Sequence, residues 1–335
     1  MGLSLNDKSD LEAAIDSYKQ ALKIKPNYAQ AYFNMGLSHL LQGNLDEGFK
    51  CYEWRLKIKE RLAAPARTNL IWDGEQSLSG KHFVVYGEQG LGDIIQFCRY
   101  LPVLEQKGAN VTFKVKSNLH ALLQTRDSKT SLNTRLPEEN KIDFELPMMS
   151  LPLALKTTVE TIPAQIPYLY ADDQRKKRWN EKLGNKTVTR IGLVWSGSTW
   201  HKNDHNRSLL LNQLTSLLEL PFEFHSLQKE IREFDVKTLT YFSKINQHQD
   251  DLLDFSDTAA LIDEMDLVIS VDTAVAHLSG AMGKKTFILL PYSPDYRWML
   301  DRADSPWYPT ATLFRQPSVG DWDSVISEIR QLLSD

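Results

Sequence analysis

Only two cysteines, Cys51 and Cys98, occur in 335 residues, far apart in sequence, which argues against a disulfide framework and fits a reducing compartment. No apolar run approaches the roughly 18 residues of a membrane helix. The best ones, Leu267 to Val271 and Thr286 to Leu290, have the length of strands. Residues Met1 to Asp7 lack a basic segment followed by a long apolar stretch, so no signal peptide is read there and the cytoplasm is the expected location. Positive charge is not in excess either: 39 Lys and Arg face 43 Asp and Glu, a net charge of −4. Nonspecific nucleic-acid binding needs a broad positive field, so nucleic acid is not expected as a partner. What remains is an ordinary globular composition, 42% apolar and 24% charged, in a chain long enough for more than one core. At roughly 150 residues per domain, about two domains are expected.

The chain repeats itself at the front. An offset of 34 pairs Met1-Gly2-Leu3-Ser4 with Met35-Gly36-Leu37-Ser38, Leu11 with Leu45, Glu12 with Asp46 and Tyr18 with Tyr52. That period, with Ala14, Tyr18 and Ala21 at helical spacing and Pro26 beyond them, resembles the tetratricopeptide repeat, a pair of antiparallel helices. Gly2 and Gly36 would permit close helix approach, Pro26 would end a helix, and Tyr32, Met35 and Tyr52 would fill the interface. Arg55 stands where the pattern wants a small residue and Glu60 where it wants proline, so the second unit should end the array and dock on the body of the chain. The first unit lacks the opening six positions of the pattern, which suggests a truncated longer array or a face covered by a partner. Alone, such a segment reads as a scaffold that binds proteins.

From Lys81 onward, short β-rich runs alternate with helical stretches, the pattern of parallel α/β units. The runs are His82 to Tyr86, Asn110 to Lys116, Ile142 to Leu146, Arg190 to Trp195, Glu223 to Leu227, Leu267 to Val271 and Thr286 to Leu290. Between two groups of them lies a Pro-rich, polar stretch from Pro147 to Pro167, leading into a charged helix over Asp172 to Leu183, which suits an interdomain connection. The expected fold is α/β: a pair of doubly wound, Rossmann-type domains facing each other across a cleft, preceded by an all-α repeat segment. Ligands are expected outside the carboxyl ends of the strands. The expected boundaries are 1–62 for the repeats, 63–170 for the first α/β domain and 171–335 for the second.

Three segments carry candidate chemistry. Gly87-Glu88-Gln89-Gly90-Leu91-Gly92-Asp93 follows the strand ending at Tyr86 and precedes a helix. Its glycines allow a sharp turn and a ligand near the helix start, but their order is neither the dinucleotide fingerprint nor a P-loop. Asp93 is either a helix cap or a carboxylate that can act as general base on a hydroxyl. The second segment, Val194 to Ser208, is dense in hydroxyls, Trp and cations, with Ser196, Lys202 and Arg207 suited to a phosphorylated ligand; a solvated polar loop is the plain alternative. His201 and His205 lack a third ligand and make a poor zinc motif. The third segment, Ser270 to Gly283, ends a buried strand and starts a helix of small residues near Thr273. Free N–H groups and the positive helix end there can bind a diphosphate, with the Thr273 hydroxyl as a further donor. Asp272 is a cap or part of that site, and His277 faces core or cleft.

Gly90-Leu91-Gly92-Asp93 early in the body and Ser270-Val271-Asp272-Thr273-Ala274-Val275-Ala276-His277-Leu278-Ser279-Gly280-Ala281-Met282-Gly283 late in it resemble bacterial glycosyltransferase family 9, the heptosyltransferase-like enzymes of the GT-B fold. The resemblance covers about residues 80 to 335, and the order of repeats followed by this body is similar to that of protein O-GlcNAc transferases. It implies inverting, metal-independent transfer from a nucleotide-diphosphate sugar to a protein or glycan hydroxyl, with no cofactor beyond that donor and a protein partner on the repeats. By position, it implies Asp93 as general base, Gly90, Leu91 and Gly92 on the acceptor side, and Asp272, Thr273 and Ala274 around the donor diphosphate. His277 would support that loop, Gln228 would lie near the nucleoside, and the basic role would fall to Lys202 or Arg207. The aromatic, Pro-rich segment from Pro291 to Pro309 would wall the nucleoside pocket or fix a last helix over Trp322 to Leu333, with Asp295 and Arg297 as secondary candidates. The competing readings are a non-catalytic repeat scaffold with a degenerate nucleotide-sugar domain, and another GT-B enzyme such as a nucleotide-sugar epimerase.

Overall fold

The computed structural model describes residues 10–58, 70–241 and 244–334. The chain divides into two compact units. The first comprises 1–120, 127–164 and 295–302, the second 121–126, 165–294 and 303–335. Met1 to Ser4 of the internal repeat, Gly2 with them, and Glu60 lie outside the described residues.

The first unit begins with three helices: α1 (Leu11–Ile24), α2 (Ala29–Leu41) and α3 (Leu45–Tyr52). Asp10 and Asn44 cap α1 and α3 by accepting from Ala13 and Glu47 backbone N–H groups. Leu11, Ala14, Ile15 and Tyr18 form the buried stripe of α1, and Pro26 follows just past its end. Gly36 is where α2 meets α3. A Cβ there would lie 2.8 Å from the Tyr52 nitrogen and 2.9 Å from the Gly48 oxygen, so only hydrogen fits. Met35 and Cys51 join the core of this helical segment, with Tyr32 packed against it. A 3₁₀ turn, Glu53–Lys57, follows α3 directly.

The same unit holds a four-stranded parallel sheet of β1 (His82–Tyr86), β2 (Asn110–Lys114), β3 (Ser131–Asn133) and β4 (Phe144–Pro147), in the order β3-β2-β1-β4. Helix α4 (Leu91–Phe97) follows β1, and α5 (Leu101–Gln106) leads to β2. Because β1 pairs with β4, the loops at their carboxyl ends, 87–90 and 148–150, lie side by side.

The second unit is a six-stranded parallel sheet in the order β10-β9-β8-β5-β6-β7. Its strands are β5 (Arg190–Val194), β6 (Glu223–Ser226), β7 (Ile245–Asn246), β8 (Leu267–Val271), β9 (Thr286–Leu290) and β10 (Ala311–Arg315). Its main helices are α6 (Asp173–Leu183), α7 (Glu233–Tyr241), α8 (Phe255–Asp263), α9 (Ala274–Ala281) and α10 (Trp322–Ser334). Asp172 caps α6 by accepting from the Arg175 N–H, and Arg175 in turn holds both oxygens of Asp254, the cap of α8, at 2.7 and 3.1 Å. Strands β5, β8 and β9 are buried at every position and mostly apolar, as parallel strands covered on both faces require; Arg190, Ser270 and Thr286 are their buried polar residues. β5 and β8 are neighbours, so the loop after β5 lies beside the start of α9.

Strands β3, β7 and β10 are absent from the sequence reading. β3 and β7 span three and two residues, too short for an alternation to show, and β10 hides behind Pro309 in the aromatic tail.

Candidate functional site

In the first unit, the turn after β1 delivers Asp93 to the first turn of α4. Gly90 is the N-cap residue, and its N–H donates to Asp93 Oδ2 at 2.7 Å. Asp93 is therefore not the N-cap residue itself: it stands at the third position of the helix and reaches back to the Gly90 N–H. The other oxygen, Oδ1, is ion-paired with Arg297 Nη2. Arg297 also donates to Gln96 Oε1 at 2.7 Å and to Asp295 Oδ1 at 2.8 Å, and it is itself buried. Of the two secondary candidates, Arg297 thus reaches Asp93 from 204 positions away in sequence, and Asp295 accepts from Arg297. Burial raises the pKa of Asp93 above the ordinary carboxylate value, while Arg297 and the Gly90 N–H pull it back down. A carboxylate more basic than usual, yet held by a cation, suits proton abstraction near neutral pH. Leu91 and Gly92 are half-buried on the same turn.

Residues that the sequence reading did not weigh as site candidates complete this corner. Glu88 is buried and accepts from Arg55 on both oxygens, at 3.2 and 2.7 Å, and from the Met149 N–H at 3.1 Å. Gln89 has φ 64°, a left-handed conformation that a side chain with Cβ rarely adopts, and its amide donates to the Tyr52 hydroxyl at 2.7 Å. The only signal was Arg55, a large cation at a small-residue position of the repeat.

In the second unit, Thr273 starts α9 and makes no side-chain cap bond. Its hydroxyl lies 3.2 Å from that of Ser270. Arg207 Nη1 donates to the Asp272 carbonyl at 2.8 Å, so of the two cations in the 196–208 loop it is Arg207 that reaches this helix start; Lys202 is exposed. Gly197 makes room for it: a Cβ there would lie 2.5 Å from Arg207 Nη2. Arg232, missed in the sequence, shapes the loop by donating to the Gly197 carbonyl at 3.0 Å and pairing with Asp204. Gln228 Oε1 accepts from the backbone of Trp195 and Ser196, at 2.7 and 2.8 Å, and its Nε2 donates to Ser196 Oγ and the Glu230 carbonyl. Both ends of that amide hold the loop, and Ser196 is tied to it. His277 is buried, with Nδ1 2.9 Å from the Tyr308 hydroxyl and Nε2 3.9 Å from Asp272 Oδ1. Ala274 is the first residue of α9, directly after Thr273.

A polar cavity of about 400 Å³ lies instead at the amino ends of β5 and β8, where Lys186 pairs with Asp266 and Lys284 with Asp263. Among the described residues no group of three or more His, Cys, Asp or Glu is arranged to hold a metal ion, and His201 and His205 are exposed on the loop. Among the same residues no helix is long and apolar enough to cross a membrane.

A model of the TPR repeat matches residues 2–43, and a model of glycosyltransferase family 9 (heptosyltransferase) matches 252–319, which includes the start of α9. Protein FlbA of Caulobacter vibrioides is 24% identical over 363 residues, covering 98% of this chain but 59% of its own length. The chain thus spans less than two thirds of that relative. Among solved structures, the E. coli ADP-heptose LPS heptosyltransferase II superposes with a TM-score of 0.51 at 10% identity, over 76% of this chain and 99% of that one. The family 9 glycosyltransferase of Veillonella parvula gives 0.51 at 11% identity, over 76% and 92%. The iron-containing dodecameric glycosyltransferase TibC of enterotoxigenic E. coli gives 0.51 at 11%, over 75% and 67%. At such identities these likenesses speak to the fold, which is that of the GT-B enzymes.

Proposed function

From a chain that joins tetratricopeptide repeats to a body of the glycosyltransferase family 9 type, we propose an inverting glycosyltransferase that moves a sugar from a nucleotide-diphosphate sugar to a hydroxyl of a protein or glycan. The observation that carries this reading is Arg207 held against the Asp272 carbonyl at the amino end of α9. A guanidinium beside a helix start presents fixed positive charge and free N–H donors, which is what a departing diphosphate needs as its charge grows. Thr273 adds a hydroxyl, and Asp272 and Ala274 supply the backbone of the cradle. This arrangement can meet the leaving charge with protein groups, so the scheme assigns no step to a metal.

Asp93 takes the proton. As the acceptor oxygen bonds to the anomeric carbon, its O–H proton passes to the carboxylate and the carbon–oxygen bond to the diphosphate breaks with its electron pair. Attack from the face opposite the leaving group inverts the centre. The repeats would bring the acceptor protein, and the name of the E. coli ADP-heptose LPS heptosyltransferase II makes an adenosine diphosphate donor the first to try.

The test is thermal unfolding of the full chain against ADP, GDP and UDP, since a ligand at 100 times its Kd stabilises by about 2.7 kcal/mol. One of them should raise the transition, and Thr273→Ala and Arg207→Ala should each reduce the rise. A folded chain that responds to none would move the reading to the scaffold. Binding without sugar transfer to any acceptor would leave the degenerate nucleotide-sugar domain, and donor conversion without an acceptor would point to an epimerase.

Replacing Arg297 gives a pH test of the base. Arg297 lowers the Asp93 pKa, so Arg297→Gln leaves burial less opposed and Asp93 protonated to a higher pH. A protonated carboxyl accepts no proton. The acidic limb of the kcat–pH profile should therefore move to higher pH, with activity partly restored on the alkaline side; an unmoved limb contradicts the assignment.

A further inference from the structure

The end of the repeat segment is built into the turn that carries Asp93. Two consecutive residues of that turn are held by two residues of one short stretch: Glu88 by Arg55 and Gln89 by Tyr52. Arg55 lies over the Tyr52 ring, 4.9 Å from its centre, and is anchored besides by Ser150 Oγ at 2.9 Å and by Glu53. Tyr52 also packs on Tyr296, with ring centres 5.9 Å apart. Tyr296 precedes Arg297, whose guanidinium lies 4.3 Å from the Tyr296 ring centre and pairs with Asp93.

We propose that Tyr52 and Arg55 are positioning residues for Asp93: the last repeat holds the 87–93 turn through Gln89 and Glu88, and the Arg297 clamp through Tyr296. Gln89 shows why a tether is needed. A non-glycine residue at φ 64° relaxes unless its surroundings hold it, and the neighbouring Gly90 N–H is one of the two groups that hold the Asp93 carboxylate. Tyr52 stands where the turn and the clamp converge, so its loss loosens both. The repeats are then part of the catalytic unit, and a docking platform besides.

The experiment is a titration of the Asp93 carboxyl in the full chain by carbon NMR with labelled aspartate, using Asp93→Asn to assign the signal. The charged and titratable groups around Asp93 are Arg297, Asp295, Glu88, Tyr52 and Tyr296. Both the Gly90 N–H and Arg297 favour the charged form, so lengthening these two contacts while Asp93 stays buried raises its proton affinity. Tyr52→Phe keeps the ring and removes the Gln89 acceptor; it and Gln89→Ala should each raise that affinity roughly threefold, and the double variant no further. Tyr52→Leu should raise it more, while Asp266 in the second unit titrates as before. An unmoved Asp93 in folded Tyr52→Leu, or additive single shifts, overturns the proposal. The catalytic consequence rests on Asp93 acting as base, but the titration does not: a moved titration with a fully active Asp93→Asn would retire the base and leave the positioning intact.

Discussion

Asp93→Asn should lose transfer activity by about 10² to 10⁴, the usual contribution of a general base, while nucleoside diphosphate still stabilises the chain as in the parent. The substitution is close to isosteric, and the amide oxygen can still accept from the Gly90 N–H that Asp93 now satisfies at 2.7 Å. What it removes is the basic oxygen and half of an ion pair. Arg297 keeps Asp295 and Gln96 as partners, so the turn should survive and the loss should fall on kcat. The check is kcat and donor KM side by side with nucleotide binding. Full activity in a folded Asp93→Asn protein would remove Asp93 from the reaction. A loss confined to KM would make it a binding group instead.

Arg55→Met should destabilise the first unit by about 3–5 kcal/mol, the range for breaking a buried pair by deleting one partner. The side chains of Arg55 and Glu88 are 1% and 2% exposed, so the carboxylate left behind has no water to turn to. Burial works against the guanidinium charge, but Glu53 and Glu88 outweigh it and hold its pKa above the ordinary value. Among the described residues, Glu88 retains only the Met149 N–H once Arg55 is gone. The double variant Arg55→Met/Glu88→Gln should therefore recover part of the loss, because a neutral amide costs less to bury unpaired than a charge and still accepts from Met149. Urea unfolding followed by a probe in the first unit measures both variants, since two units need not unfold together. Equal stability of Arg55→Met and the parent would mean that the repeat segment is only lightly attached to the turn.

Much was legible from the residues in order, because it depends on local pattern. The repeat showed as a 34-residue period, and Gly36 does stand where two helices meet too closely for a side chain. Strands β1, β8 and β9 coincide with the mostly apolar runs read from sequence, since a strand covered on both faces is built largely of apolar residues. The turn before Asp93 and the helix start at Thr273 were likewise visible, as strand, small residues and helix follow one another directly.

What the tertiary structure alone decided is pairing between residues distant in sequence. The order of strands sets β5 beside β8, and that adjacency brings Arg207 and not Lys202 to the Asp272 carbonyl. It also gives Gln228 to the loop backbone, a use that a position after a strand does not reveal. Arg297 reaches Asp93 because residues 295–302 return to the first unit, and no periodicity records that return. Arg55 looked like a fault in the repeat; it is the buried partner of Glu88. Helices and strands are chosen by side chains a few positions apart, whereas a buried ion pair is chosen by whichever charges the completed fold removes from water together.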